Sequence, residues 1–492
     1  MKQKHLLSIF LLSIVLLSAC KKDKIREESI DYNALTEKRI IEVSEQEVIK
    51  AEDIPPLERL LEKVTQKDTK EKLTLLLADV KQVREILPGI VQLRTNPDID
   101  FKGKYEEVQA LIQKVSNQLP RKVRLQKDLE DARNSFNTEE VEFENTVSGS
   151  ESYLDFLTRF LERSYQIKPI AGKPNRFLRA DIEKVDSLES RPTTMNNIRK
   201  FKGLKYLAAT ILQGPADLNS LVHLETVDVA CEQGLKIDQL HKLKHLVLNH
   251  TNEVEWDFGG KNTELETLKI GEALAGKITV LSLSGQKNLK SVVIGNTINL
   301  LRKLKRLVIA GNGNTTLTMP ILDSDMEELK LSGISGTLSL VSNRADHPPV
   351  KIKNFELVNS PNIVSMSIGD LDLPKPIDFA QFKKLKNVFF KPVSINSKET
   401  DFNELLNLIN LNQLESSLEQ FSADFVRVSN GTLNLGKFSK LKTVVISTGA
   451  KAPLRKLILN RAISKMVDPG DGTCDDCGGI YLDGNIETIF VD

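Results

Sequence analysis

The residues of this chain best equipped for chemistry stand near its C-terminus, where Cys474-Asp475-Asp476-Cys477 forms a single C-x-x-C. Such a pair can offer two zinc ligands, close a local disulfide or cycle as a redox couple. Structural zinc needs four ligands, and neither a second C-x-x-C nor a nearby His supplies the rest. A redox couple needs a thioredoxin-like setting that the sequence does not show. In an oxidising compartment, a disulfide between Cys474 and Cys477 is therefore the favoured reading. Asp468, Asp471, Asp475, Asp476 and Asp483 crowd the same Gly-rich loop. Calcium takes such oxygen ligands, but the spacing lacks the Glu that closes an EF-hand loop, and a solvated acidic turn is the other reading. His241, His245 and His250 share one short stretch, where metal or proton chemistry would need a carboxylate partner that the sequence does not place. Cys231 stands alone and reads as a small buried hydrophobe. The chain has no P-loop, G-x-G-x-x-G, H-E-x-x-H or G-x-S-x-G. It implies no catalytic residue, no cofactor and no metal, and is read as a non-enzyme.

The elements that would position these groups repeat. Leu240, Leu243, Leu246 and Leu248 form an L-x-x-L-x-x-L-x-L phrase, and Leu221-Leu224-Val227-Val229 and Phe382-Leu385-Val388-Phe390 copy it. The final apolar-x-apolar step has the period of a strand, and the three-residue steps before it suit a tight or 3₁₀ turn. One such unit cannot bury its apolar side alone and must stack on copies of itself. The phrases run in series from Leu204 to Val491, mostly 19 to 26 residues apart, with several shorter steps of 11 to 15. Leu304-Leu307-Ile309-Asn312 completes the pattern L-x-x-L-x-L-x-x-N. The series resembles the leucine-rich repeat family, and within it the internalin-like branch with its extra upstream step. The resemblance spans about residues 150 to 492 and implies a protein-binding solenoid. Elsewhere the Asn position is often Thr, Ser or Gly, which weakens the inner ladder of amides a regular horseshoe would have. The expected fold is α+β: an irregular leucine-rich-repeat solenoid with a helical N-terminal cap, preceded by a small helical bundle or coiled-coil domain.

In each strand x-L-x-L-x the leucines point inward and the x residues outward. Taken as one ladder, the outward positions include Val247, Lys269, Val293, Val308, Lys330 and Phe389, with Asn387 and Lys391 beside Phe389. These eight are the candidate ligand-binding residues. Phe389 is the aromatic anchor of the set, unless the stretch 392–437, read as an insertion with a helix from Phe402 to Leu411, covers it. Trp256, the only tryptophan, is assigned to a loop between repeats.

The first residues carry an address. Met1 to His5 is a short basic start, Leu6 to Leu17 is apolar, and Leu17-Ser18-Ala19-Cys20 follows. The run is too short to span a membrane and has the layout of a secretory signal. It resembles the lipobox of bacterial lipoproteins, which implies cleavage before Cys20 and acyl chains on it; the basic residues after Cys20 resemble lipoproteins of Bacteroidetes. The expected organisation is a signal peptide over 1–19 and a lipidated tether over 20–34. A helical stalk over 35–148 follows, then a helical cap over 150–203 and the repeats over 204–492, ending in a cap at 465–492. In the stalk, Leu73, Leu76, Val80, Val83 and Leu87 form a heptad seam ending at Pro88, and Val108, Ile112, Val115 and Leu119 form one stopped by Pro120. A third runs from Val123 through Leu129 to Ala132. These seams pack on one another or on partner helices.

Over 492 residues, 68 basic groups meet 67 acidic ones, so no charge excess steers the chain to nucleic acid. The leading expectation is a membrane-anchored protein outside the cytoplasm, at the outer membrane or cell surface, with a protein ligand on its repeats. The alternatives are carbohydrate or nutrient capture for an uptake system, and a periplasmic scaffold. An aromatic content of 5% with one Trp speaks against sugar stacking.

Overall fold

A computed structural model describes residues 31–465 except 97–98, 146, 149–150, 191–192, 214, 232, 263, 297–299, 343–347 and 449–453, and also residues 479–482 and 486–491. The cysteines at 20, 474 and 477 and the acidic loop with Asp468 to Asp483 lie outside the described residues. The chain forms two compact units, one of residues up to 97 with 101–135, the other of residues 98–100 with 136–492.

The first unit is helical. Its longest helix, Lys67–Thr95, buries Leu73, Leu76, Val80, Val83 and Leu87 along the heptad seam. Contrary to the sequence expectation, the helix runs through Pro88. Proline removes one backbone hydrogen bond, but Ile90 and Leu93 keep the apolar stripe going and packing outweighs that loss. Gly89 lets the helix Phe101–Lys114 come close, since a Cβ there would lie 2.6 Å from a Val108 methyl. That second helix stops at Lys114, before Pro120, although Val115 and Leu119 beyond it are still buried. In the helix Arg121–Thr138, Leu125, Leu129 and Ala132 face inward, whereas Val123 is 70% exposed and is not part of the seam.

In the second unit, the short strand Glu140–Glu142 pairs antiparallel with Arg176–Leu178, the helix Tyr153–Tyr165 between them is N-capped by the Ser152 hydroxyl, and the chain then winds into a solenoid. Its main parallel ladder joins strands Ser187–Ser190, Tyr206–Gln213, Thr226–Cys231, His245–His250, Thr267–Ile270 and Ser291–Ile294 in order. It continues through residues 316–318, 335–341 and 362–369 to Asn387–Phe390, Gln420–Val426, Thr443–Thr448 and Ile480–Leu482. In register, Leu207, Val227, Leu246, Leu268 and Val292 stack inward, each at or near zero exposure.

The phrases do not form one series. Over the central coils a second parallel ladder joins Glu255–Asp257, Val280–Leu283, residues 306–309, residues 326–332 and residues 352–358. The short steps of 11 to 15 residues are crossings between the two sheets, as from Leu265 to Ile278 and on to Leu289. Two strands make the crossing without a break: Arg306–Thr318 and Met326–Val341 leave the second sheet, turn a corner and enter the main one. The corners stack so closely that a Cβ on Gly333, at φ 67°, would lie 2.3 Å from the Gly311 carbonyl oxygen. The stretch 392–437 contains a coil of its own, because Gln420–Val426 pairs on both sides within the main ladder. Trp256 sits in a strand of the second ladder opposite Leu281, 5% exposed, its ring stacked on Phe258 at 6.3 Å.

The fold is thus α+β, a helical unit followed by an irregular leucine-rich-repeat-like solenoid. Among the described residues no helix is long and apolar enough to cross a membrane.

Candidate binding face

The outward residues of the main ladder form straight rows, because parallel pairing holds equivalent positions of neighbouring coils about 4.8 Å apart. One row near the C-terminal end runs Ser367, Phe389, Ser422, Val445, Tyr481, each directly opposite the next. Phe389 is half-buried, Ser422 is 8% exposed, Val445 36% and Tyr481 58%. Tyr481 lies about three strand spacings, roughly 14 Å, from Phe389. The helix Phe402–Leu408 does not cover Phe389: its Phe402 packs edge-on against Phe390 at 5.6 Å, on the opposite face of the strand.

Polar columns flank this row. On one side lie the amides of Asn387 and Gln420, and beyond them Glu419 bridges Lys386 at 2.7 Å and Lys442 at 2.8 Å. Those two ammonium groups hold the Glu419 carboxyl far below its ordinary range, at about 2. On the other side, Lys391 stands 3.7 Å from Asp370, whose carboxyl burial pushes up while Lys391 pulls it down. The face therefore offers an apolar ridge with hydrogen-bonding amides and ion pairs at its margins, a composition suited to a polypeptide surface.

The eight sequence-derived candidates fall into three groups. Val247, Lys269 and Val293 share an outward row of the main ladder. Val308 and Lys330 lie on the second ladder, between Ser282 and Glu356, and Lys330 is tied to Glu328 at 2.7 Å. Asn387, Phe389 and Lys391 belong to the C-terminal stretch of the main ladder. Tyr481 escaped the sequence reading because Ile480-Tyr481-Leu482 lacks the upstream leucines of the phrase; its apolar-x-apolar step after a Gly-rich loop is the only signal for it. Of the histidines, His241 and His250 are exposed and His245 Nδ1 meets the Thr267 hydroxyl at 2.9 Å. Cys231 is a free, buried thiol, and that burial raises its pKa.

No family model matches the chain, and no curated protein matches it. Among solved structures, an internalin from Listeria monocytogenes is similar, at 14% identity and a TM-score of 0.35, over 68% of this chain and 95% of that one. A likeness of this size transfers neither ligand nor role.

Proposed function

We propose that this protein is a non-catalytic, protein-binding module held outside the cytoplasm by lipid on Cys20, with its ligand face on the main ladder. The observation that carries this reading is the row Phe389, Val445, Tyr481. Aromatic side chains that point outward in register from a sheet present contact area at small entropic cost, and such residues concentrate binding energy. The Leu17-Ser18-Ala19-Cys20 sequence supports the anchor.

A photocrosslinking residue placed at Phe389 or Tyr481 in the producing cells tests the face. One discrete polypeptide adduct at both sites, absent when the crosslinker replaces Glu327 on the second ladder, is the expected result. Equal labelling at all three positions rejects the face. The anchor has its own test: Cys20→Ala should move the protein out of the membrane fraction, and retention there rejects lipidation.

A further inference from the structure

The opposite end of the solenoid holds a cluster of ionisable side chains that the binding face does not use. The short helix Arg179–Ile182 closes the cap, and Glu183 follows as its C-cap residue. Arg179 is 7% exposed; its guanidinium bonds Glu139 at 2.7 Å, lies 5.0 Å over the Phe136 ring and reaches Glu183 Oε1 at 3.4 Å. The Glu183 side chain is 9% exposed, and its Oε1 is buried without a hydrogen-bond partner among the described residues. Backbone packing leaves it no retreat, since a Cβ on Gly203 would fall 2.1 Å from the Glu183 carbonyl oxygen.

Two carboxylates thus share one guanidinium. Lys202, 4% exposed, and Asp100, held by His223 at 2.7 Å, are the other charges acting on Glu183. Burying the Glu183 charge in this packing is costly, and the charge of Arg179 offsets only part of that cost.

We infer that the cap is a proton-operated latch: protonation of Glu183 locks the cap helix onto the first coil, and ionisation of Glu183 loosens it. Phe143 and Phe177, packed edge-to-face at 5.6 Å beneath the cap, are the apolar surface that loosening uncovers. Burial is the main influence on Glu183 and lifts it to about 7, with the charge of Arg179 working the other way. A carboxyl raised above its ordinary value of 4.5 stabilises the closed cap fully below that value, and the contribution is lost as pH rises through about 7. Between pH 6 and pH 8 the opening equilibrium should therefore grow about tenfold.

Hydrogen exchange of the segment 179–190 in the full-length protein, corrected for intrinsic exchange chemistry, reads this directly. The expected result is the tenfold rise in the native sequence and its disappearance in Glu183→Gln. In Glu139→Gln, Glu139 no longer competes with Glu183 for Arg179, so the rise should shrink and finish at lower pH. A flat native profile overturns the latch, as does an unchanged rise in Glu183→Gln or an unshifted one in Glu139→Gln. The native profile and the Glu139→Gln shift decide the matter even if Glu183→Gln does not fold.

Discussion

Asn262 and Asn312 show how one residue type can serve two roles in this solenoid. Asn262 is 2% exposed and donates through Nδ2 to the carbonyls of Ile237 at 2.8 Å and Leu240 at 3.0 Å, joining one coil to the next. Asn312 completes the best-matching repeat phrase, yet it is exposed at a corner between the two sheets, where its side-chain Oδ1 accepts from the Asn314 N–H. Elsewhere the inner carbonyls are served by Gln286, Thr315 and Ser324, so the amide ladder is replaced by varied single donors. Removing a buried donor strands its acceptors, whereas removing an exposed one lets water take its place. Asn262→Ala should therefore cost about 1–3 kcal/mol in urea unfolding, and Asn312→Ala under about 0.5 kcal/mol. Equal losses would mean that Asn262 is not a coil-to-coil tie.

Among the elements, the strands that bury two apolar residues behind upstream leucines were legible from composition and spacing. The two-sheet arrangement was not, because inward positions of the crossing strands are filled by residues that carry no phrase: Thr315, fully buried and bonded to the Leu289 carbonyl, and Gly333 at its corner. A phrase says that a strand has a buried face but not which sheet receives it, so Val308 and Lys330 were aligned with residues of the other ladder. The Phe389 patch was legible since its strand keeps the full phrase; Tyr481 was not, since its strand does not. Charge alternation marks the strand starts more faithfully, with Glu225–Lys244 at 2.8 Å, Glu266–Lys290 at 2.6 Å and the Lys386–Glu419–Lys442 triplet. Glu419 has its pKa lowered, so its stabilisation is present above pH 4.5 and is lost as pH falls toward about 2. Screened pairs of this kind give under about 1 kcal/mol each. Glu419→Lys would set three lysines in a column, and we expect a loss of about 1 kcal/mol at low salt that shrinks in 0.5 M NaCl. A loss indifferent to salt would show that packing, not charge, is what the substitution disturbs.

For the solenoid as a whole, stability should vary along its length with the number of ladders each coil shares. A coil array behaves as a chain of nearest-neighbour interfaces, in which a local opening must break the bonds to the coils on either side. Between about residues 255 and 369 each coil is held by both sheets, whereas the coils from Ser187 to Cys231 share the main ladder and only short pairings such as Leu235–Lys236 with Ala216–Asp217. Opening a central coil therefore disrupts two hydrogen-bonded registers, and opening an earlier one disrupts little more than one. Amides at 306–309, 328–332 and 362–369 should exchange most slowly, and those at 206–209 and 226–229 faster, when native-state hydrogen exchange is followed at fixed pH. A charge buried at the centre tests the same coupling in reverse. Leu307, fully buried in the second ladder between Leu281 and Leu329, should on substitution as Leu307→Asp split a single unfolding transition of the solenoid into two, one for each flank. If unfolding stays single and exchange is uniform from 206 to 369, the second sheet adds no cohesion and the coils are bound by the main ladder alone.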